Sequence, residues 1–434
     1  MTERYDCIVV GAGPAGAAAA FTLAKAGLDV VVFERGEYPG AKNMFGGILY
    51  STVLNRLMPG FWADAPVERH VVKRRYSFVS NDSEAAFDIR LDAFNRPPFN
   101  NSFTTLRARF DRWFAAKAEE AGALVVTGAV VDDLIIKDGA VAGVRVRMEG
   151  GEVFADVVII AEGANSLLAE KAGLKPKPDS ANMSLGVKEI ISLPKGVIDD
   201  RFGLEDAEGA AVEFFGEALG PGVPGGGFIY TNQESLSVGI ACPISALKEK
   251  GIKPNGLIDG FKRHPAVSRL IRGGATEEYL AHIIPEGGYN AMPELVTGGA
   301  LLAGDCAGFV NPSLYKEGSN LAMASGVMAA ETVMEAKSRG DFSKKTLEGY
   351  VKRLEESFVL KDLRRYKDAP DVLRSTTGLF KDYPEAVMEM LTRHFTISEE
   401  SKADAHKELK RILKGRVSLL RLAGDVLRLR KFVR

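Results

Sequence analysis

Cysteine is scarce in this sequence, and its spacing excludes several kinds of site. The three cysteines among 434 residues are Cys7, Cys242 and Cys306, which lie far apart and form no C-x-x-C pair. A disulfide framework needs paired cysteines, and zinc and iron–sulfur sites need clustered ligands. We therefore expect reduced thiols and neither kind of metal site in this chain.

Net charge and long apolar runs are also missing. The 56 basic residues nearly balance the 57 acidic residues, so the chain as a whole has no attraction to nucleic acid. The apolar runs are of strand length, well short of the roughly 20 residues that span a bilayer. The first residues lead directly into a predicted strand without a leader pattern, so we expect no secretory signal. Any membrane contact is expected to be peripheral.

Glycine is plentiful, and the first 34 residues have the pattern of a βαβ unit. Residues 7–10 are typical of a buried parallel strand, residues 17–25 favour a helix, and residues 29–33 favour a second strand. The turn after the first strand consists of Gly11, Ala12, Gly13, Pro14, Ala15 and Gly16. In this G-x-G-x-x-G pattern the first glycine permits a tight turn, the second lets the backbone approach a pyrophosphate, and the third lets helix and strand pack closely.

An acidic residue, Glu34, ends the second predicted strand and is followed by Arg35. A carboxylate at this place accepts hydrogen bonds from the ribose of an adenosine. The βαβ unit and Glu34 together predict a bound dinucleotide, with its phosphates at the helix N-terminus. The alternative is a glycine-rich turn that binds nothing.

A second glycine motif follows another short apolar run late in the chain. It contains Gly304, Asp305 and Gly308, and it resembles the G-D motif of flavoproteins of the p-hydroxybenzoate hydroxylase type. The resemblance implies FAD rather than NAD, with Asp305 on the ribityl chain. It also implies that a helix starting near Gly318 and Asn320 points its positive end at the flavin ring. The alternative is that Asp305 only caps a helix.

A third segment, from Thr105 to Asp111, resembles a motif of the same superfamily whose first arginine faces the FAD pyrophosphate. Arg107 is that arginine here, and Arg109 is its neighbour. The alternative is that Arg107 is only a solvated charge before a helix.

The sequence Ala161-Glu162-Gly163 separates two groups of flavoproteins. Hydroxylases that use NAD(P)H carry an Asp-Gly pair at this place. The A-E-G sequence instead resembles that of electron-transfer flavoprotein:quinone oxidoreductases and their bacterial FixC relatives. The likeness to this group continues at residues 40–50, 225–230, 283–289 and 357–363 and at Tyr383-Pro384, and so covers most of the chain.

The resemblance implies electron transfer from an electron-transfer flavoprotein, through non-covalently bound FAD, to a membrane quinone. No catalytic residue and no metal ligand is assigned. The residues expected to bind FAD are Gly11, Ala12, Gly13, Pro14, Ala15, Gly16, Glu34, Arg35, Asn43, Gly46, Gly47, Arg107, Val130, Glu162, Gly163, Gly304, Asp305, Gly308, Gly318 and Asn320.

The chain departs from the single-chain quinone oxidoreductases, which end in a ferredoxin-like region that holds a [4Fe–4S] cluster. It has no cysteine after Cys306, so such a cluster is not expected here. FixC-type proteins use a separate small ferredoxin-like subunit. The resemblance therefore implies that subunit and the alpha and beta subunits of an electron-transfer flavoprotein as partners, in an electron-bifurcating complex. It places the chain in the cytoplasm, on the inner face of the cell membrane.

Two other functions stay open. One is a prenyl-lipid ene-reductase of the geranylgeranyl reductase type, which has a similar FAD domain. The other is a non-catalytic flavin-binding scaffold subunit. Cys306 and the other cysteines are expected to be small buried hydrophobic residues rather than redox groups, and His282 is expected to be structural.

The last 28 residues carry the one local excess of charge. Residues 407–434 contain ten lysines and arginines against Glu408 and Asp425, interleaved with leucines at helical spacing. A basic amphipathic helix of this kind lies on a membrane or docks on a partner, or else it packs on its own domain as a solvated helix.

These patterns predict an α/β fold with three parts: a Rossmann-like FAD-binding domain of the p-hydroxybenzoate hydroxylase type, an interrupting β-rich domain for substrate or quinone, and a helical carboxyl-terminal region. The predicted FAD domain comprises residues 1–75, 106–175 and 291–345. The β-rich domain comprises residues 76–105 and 176–290, and the helical region comprises residues 346–434.

Overall fold

The structure is a computed structural model that describes residues 4–42, 47–147, 151–313 and 315–433. Its strands are, in chain order, β1 (Arg4–Val10), β2 (Val30–Phe33), β3 (Ile48–Tyr50), β4 (Val67–Ser80), β5 (Ser83–Arg90), β6 (Ser102–Thr105), β7 (Leu124–Val126), β8 (Val131–Lys137), β9 (Ala140–Val146), β10 (Glu152–Ile160), β11 (Met183–Ser192), β12 (Glu208–Gly216), β13 (Gly226–Thr231), β14 (Ser235–Pro243), β15 (Ala275–Pro285), β16 (Val296–Thr297) and β17 (Ala300–Leu302).

The helices complete the α/β architecture. They are α1 (Pro14–Lys25), α2 (Thr52–Leu57), α3 (Arg107–Glu120), α4 (Leu167–Lys171), α5 (Lys195–Phe202), α6 (Ile244–Lys250), α7 (Pro254–Arg263), α8 (Pro265–Ile271), α9 (Ser319–Arg339), α10 (Lys344–Leu347), α11 (Gly349–Glu356), α12 (Phe358–Arg365), α13 (Ala369–Ser375), α14 (Asp382–Phe395), α15 (Lys402–Arg416) and α16 (Leu419–Val433).

The chain forms two compact units, each made of three segments. Unit 1 consists of Met1–Glu68, Asn101–Met183 and His282–Lys367. Unit 2 consists of Arg69–Asn100, Ser184–Ala281 and Asp368–Arg434. The three-part domain division derived from the sequence stays a prediction.

Unit 1 is built on a mostly parallel sheet in the order β16-β17-β10-β1-β2-β7, and the β8–β9 hairpin pairs with β10 through β9. The central strand β1 is apolar, and Cys7, Ile8 and Val9 are fully buried. This agrees with the predicted strand, because parallel strands covered on both faces need continuous apolar runs.

The register of these strands brings the sequence motifs together. Val10 at the end of β1 lies opposite Phe33 of β2 and Ile160 of β10, and Ile160 lies opposite Leu302 of β17. The four strands therefore end in one row. The glycine turn, Glu34, the A-E-G sequence and the G-D motif all follow these ends directly, so they meet at one edge of the sheet, where open α/β sheets bind ligands.

Unit 2 is built on a sheet in the order β15-β11-β14-β13-β12-β4, to which β5 adds as a hairpin partner of β4. Val212, Ile229 and Val238 lie in its buried core with Ile258 and Phe261 of α7. Residues 184–285 thus contain most strands of a mixed sheet, with α5 to α8 inserted between them along the chain.

The predicted basic helix over residues 407–434 is wrong in one respect, since two helices, α15 and α16, occupy this region. Val417 between them is extended and buried. The Ser418 hydroxyl accepts a hydrogen bond from the Arg421 N–H at 3.4 Å and so starts α16. The buried, extended Val417 therefore separates the two helices. Gly415 and Gly424 do not cause this break, because they lie inside α15 and α16.

None of the helices over the described residues combines the length and the apolar run that crossing a bilayer requires.

Candidate FAD site

Glu34 holds the glycine turn from the end of the neighbouring strand. Its carboxylate accepts the Ala12 N–H at 3.0 Å and the Gly36 N–H at 2.7 Å. Gly11 has φ +101°, and a Cβ on it would lie 2.5 Å from the carbonyl oxygen of Ala161. Glycine at position 11 is therefore required by both conformation and space.

Gly13 and Gly16 are glycines for different reasons. A Cβ on Gly16 would lie 1.9 Å from the Gly11 carbonyl oxygen, so close packing of α1 on the turn requires this glycine. A Cβ on Gly13 would meet no heavy atom of the described residues within 4 Å. Gly13 thus leaves open backbone at the N-terminus of α1, and a phosphate group fits this position because the first helical N–H groups are free to bind an anion.

The G-D motif forms a short 3₁₀ turn over Gly304–Ala307 at the end of β17. Ala303 precedes the turn, and no side chain caps it, so the alternative role of Asp305 as a helix cap is wrong. Burial raises the pKa of Asp305, while the charges of Arg107, His282 and Lys175 act in the opposite direction. Asp305 is therefore a buried carboxyl group whose negative charge is favoured by three basic side chains of unit 1.

Arg107 is a buried residue rather than a solvated charge. It is 8% exposed, and it donates two hydrogen bonds of 2.8 Å to the Asp111 carboxylate one turn further along α3. The pair has bidentate geometry, which fixes the plane of the guanidinium. The alternative that Arg107 is only a solvated surface charge is wrong.

Glu162 of the A-E-G sequence caps the short helix α4. Its two carboxylate oxygens accept the N–H groups of Leu168 at 2.9 Å and Ala169 at 2.8 Å. Burial raises the pKa of Glu162, and the two backbone hydrogen bonds act against that rise, as does Lys175. Both oxygens are thus engaged inside unit 1.

Lys175 links two of the motifs, and the sequence patterns did not single it out. Its ammonium group donates to the Ser166 hydroxyl at 2.9 Å and to the Cys306 carbonyl at 3.0 Å. It therefore ties the loop after the A-E-G sequence to the G-D turn. No motif could have identified it, because its partner Cys306 lies 131 positions away.

The N-terminus of α9 presents free polar groups. Gly318 precedes the helix without a side-chain cap, and the Ser319 hydroxyl oxygen is buried with no hydrogen-bond partner among the described residues. The Asn320 amide oxygen accepts the N–H of Val53 at 3.0 Å. An orphaned hydroxyl beside uncapped helical N–H groups fits a polar ligand edge, such as the pyrimidine ring of a flavin.

The cysteines are buried, as expected, and burial raises the pKa of Cys306 to about 12. A thiol with so high a pKa is a small apolar group at neutral pH. Over the described residues no three side chains of the metal-binding types come together.

His282 was expected to be structural, and the structure shows one hydrogen bond of its ring and the effect of burial on its pKa. A ring nitrogen lies 2.6 Å from the Ile283 carbonyl oxygen. Burial lowers the pKa of His282, although the charge of Asp305 acts in the opposite direction.

The remaining expected FAD residues lie at different places. Gly47 is buried, and its carbonyl oxygen accepts the Thr105 N–H at 3.0 Å. Val130 is partly buried on the chain leading into β8, and Arg35 is exposed next to Glu34. Asn43 and Gly46 fall outside the described residues.

Comparison with known proteins identifies the family. A FixC protein of Azotobacter vinelandii is 43% identical over 426 residues, which cover 98% of this chain and 98% of that protein. The chain belongs to the FixC family. A FixC protein of Escherichia coli K12 is 42% identical over 410 residues, covering 94% of each chain.

Two family descriptions match separate parts of this FixC-family chain. Residues 6–177 match the FAD dependent oxidoreductase family, and residues 369–434 match the ETF-QO/FixC family C-terminal domain. The chain is thus an FAD-dependent oxidoreductase, and FAD is the dinucleotide that the glycine turn and Glu34 predict.

Solved structures show the same fold at low identity. A geranylgeranyl bacteriochlorophyll reductase-like protein from Thermoplasma acidophilum superposes with a TM-score of 0.72 at 22% identity, covering 96% of this chain and all of that one. The flavin-dependent brominase Bmp2 gives 0.64 at 16% identity, covering 95% of this chain and all of its own. These likenesses confirm the predicted FAD fold.

Proposed function

We propose that this FixC-family chain takes electrons from an electron-transfer flavoprotein and passes them through FAD to a membrane quinone. The observation that carries the proposal is the match to FixC proteins over nearly the whole chain, together with the ETF-QO/FixC C-terminal domain. Within unit 1, both Glu162 carboxylate oxygens bind the N-terminus of α4, whereas the hydroxylases resembled by the FAD motifs carry an Asp-Gly pair that serves NAD(P)H.

The proposed residue roles follow from positions in unit 1. The open backbone at Gly13 and the α1 N-terminus would hold the pyrophosphate, with Arg107 opposite it, and Glu34 would hold the adenosine ribose. Asp305 would bind the ribityl chain, and the first turn of α9 would face the pyrimidine ring. When bound, FAD supplies the one- and two-electron chemistry, and the chain supplies position and charge.

The proposed partners follow from the cysteines. The three thiols are buried and widely separated, and the chain has none after Cys306. A [4Fe–4S] cluster in the pathway would therefore lie on a separate small ferredoxin-like subunit, next to the alpha and beta subunits of an electron-transfer flavoprotein. In an electron-bifurcating complex the low-potential electron would leave through that subunit.

The proposed location is the inner face of the cell membrane. On α16 the side chains of Leu420 and Leu427 are 88% and 65% exposed, and Arg428 and Arg430 are exposed on the same helix. Apolar side chains next to arginines suit the boundary between acyl chains and anionic headgroups. α16 packs against α13 within unit 2. The helices described there leave the exposed stripe of Leu420, Leu427, Arg428 and Arg430 uncovered.

The test is reoxidation of the reduced protein under anaerobic conditions. We expect rapid return of the oxidised FAD absorbance with a soluble quinone analogue, and reduction of FAD by a reduced electron-transfer flavoprotein. Saturation of polyprenyl double bonds without quinone would establish the ene-reductase alternative instead. Reoxidation by neither acceptor would favour the scaffold alternative.

A further inference from the structure

Glu317 lies at the amino end of α9, outside the residues that the motifs assign to FAD. Its backbone carbonyl accepts the Asn311 N–H at 2.8 Å, and its carboxylate accepts the Asn320 side-chain amide at 2.8 Å. Asn320 is itself held by the N–H of Val53. The Glu317 carboxyl group is therefore fixed beside the first turn of α9, whose positive end faces the proposed flavin ring.

A second carboxyl group, Asp362, lies on α12, which packs against α9, and its charge affects the pKa of Glu317. Both side chains are partly buried. Burial raises the pKa of Glu317, the hydrogen bond from Asn320 opposes that rise, and the charge of Asp362 adds to it. Burial also raises the pKa of Asp362, and the charge of Arg365 opposes it.

These properties suit proton transfer. A carboxyl group is a useful proton donor when its pKa is raised towards the working pH, because it still holds a proton there. An ordinary surface glutamate is fully ionised at neutral pH. The Glu317 carboxyl group is half-buried and is held by Asn320 beside the first turn of α9, so it is placed to donate a proton there.

Quinone reduction has a proton requirement that the cofactor alone does not meet. A quinone takes up two electrons and two protons to become a quinol. Reduced FAD supplies both electrons and one proton, so another acid has to supply the second proton. On the basis of the proposed quinone reduction, we infer that Glu317 donates this second proton. The Glu317 O–H bond breaks, the quinol O–H bond forms, and the carboxylate is then reprotonated from solvent.

The direction of the pH dependence follows. Glu317 keeps its proton below its raised pKa and loses it as the pH rises through that value. Quinone reduction by the native holoenzyme therefore slows towards high pH. In Glu317→Gln the donor is absent at every pH, so this fall disappears and the rate is low throughout.

The experiment measures reoxidation of the reduced holoenzyme by a soluble quinone analogue across pH. We expect Glu317→Gln to be about 100-fold slower at low pH with an unchanged KM, and Glu317→Asp to recover part of the rate. In Asp362→Asn the charge that raises the pKa of Glu317 is absent, so the fall in rate should move to lower pH. Glu356→Gln on α11, an exposed carboxyl group of the same unit, should behave as the native protein.

A second measurement does not depend on turnover. Infrared difference spectra between oxidised and reduced holoenzyme, without quinone, should show a carboxyl band that shifts in deuterated water, that is absent from Glu317→Gln and that persists in Glu356→Gln. A native rate and pH profile in Glu317→Gln, or an unchanged infrared band, would overturn the inference. Failure of the native protein to reduce any quinone analogue would instead defeat the proposed function, and the infrared band would then test the Glu317 carboxyl group by itself.

Discussion

Gly13 and Gly16 differ in what an added methyl group would meet. At Gly16 the methyl group would strike the backbone of Gly11, whereas at Gly13 it would enter open space. Packing therefore requires glycine at position 16, whereas at position 13 we propose that the approach of the ligand requires it.

Alanine substitutions should separate these two requirements. We expect the Gly13→Ala apoprotein to have the same melting temperature as the native apoprotein, because the fold has room for the methyl group. FAD should bind to this variant about 5- to 150-fold more weakly, since overpacking against the ligand costs about 1–3 kcal/mol. Calorimetry of the apoprotein and FAD titration measure the two effects.

Gly16→Ala is the matched variant. We expect its apoprotein to unfold at a lower temperature than that of Gly13→Ala, because the backbone of the turn has to move. Equal melting temperatures for the two apoproteins would contradict the assignment of separate roles.

Lys175→Met should weaken FAD binding without changing any residue of the sequence motifs. The variant loses two hydrogen bonds between the A-E-G loop and the G-D turn. Because Lys175 is partly exposed and water replaces the lost donor in part, we expect a loss of about 1 kcal/mol, or roughly fivefold in FAD affinity. Lys171→Met on α4, which removes an exposed ion pair with Asp133, is the control and should bind FAD normally.

At the scale of elements, α1 and α9 pack unusually close together. A Cβ on Gly326 of α9 would lie 2.1 Å from the carbonyl oxygen of Ala15 in α1, and half of the residues of α1 are alanine. Small residues on both helices let their backbones approach. This packing fixes the N-termini of both helices at the same edge of the unit 1 sheet, where the two proposed ends of FAD bind.

Gly326→Ala should therefore destabilise unit 1. The methyl group meets backbone rather than a flexible side chain, so we expect a loss of about 1–3 kcal/mol or more in the free energy of unfolding. Gly415→Ala in α15, where a Cβ meets no described atom within 4 Å, is the control. It should stabilise its helix by roughly 0.5–1 kcal/mol. Chemical denaturation of the apoproteins measures both changes, and a neutral Gly326→Ala would contradict the packing argument.

The exposed stripe on α16 gives a prediction about the membrane. Leu427→Glu should lower binding to vesicles that contain anionic lipid by about tenfold or more, because burial of a leucine contributes about 1.5–3 kcal/mol. Ile136→Glu, which changes an exposed apolar side chain of β8 in unit 1, should bind vesicles like the native protein. If both variants sediment with vesicles equally well, α16 does not bind lipid, and a partner subunit becomes the better candidate for this stripe.

At the scale of the whole molecule, charge and cysteine content limit how the chain meets its partners. The net charge is −1 at pH 7, so long-range attraction of the whole molecule contributes little to association. Recognition has to come from local surfaces such as α16. Under the proposed function, cluster chemistry belongs to another chain.

Metal analysis tests the proposed division between an FAD-binding chain and a separate subunit that holds the iron–sulfur cluster. We expect the isolated chain to contain one FAD and no iron or acid-labile sulfide, and the copurified assembly to contain iron that follows the small ferredoxin-like subunit. Replacing Cys7, Cys242 and Cys306 together by alanine should leave the FAD content unchanged. Iron bound to the isolated chain, and lost in that triple variant, would contradict the proposed division.

Local sequence patterns predicted the parts of the fold in which neighbouring residues decide the structure. The strand, the glycine turn and the helix around Gly11 follow from apolar runs and from conformations that only glycine adopts easily. The resemblance at Glu162 and Asp305 predicted an FAD-binding family, because each residue belongs to a motif that directly follows the end of a strand. Asn43 and Gly46 lie outside the described residues, and their assignment stays a prediction.

The sequence by itself therefore determined that this chain has a dinucleotide-binding unit, that its three thiols are widely separated, and that its charge is balanced. Only the tertiary structure decided which distant residues meet: Lys175 with Cys306, Asn320 with Val53, and Gly326 with Ala15. It also divided the predicted basic helix into α15 and α16 at Val417. The physical reason is that these contacts join segments tens to hundreds of residues apart, so burial and packing in the folded chain select them and no local periodicity records them.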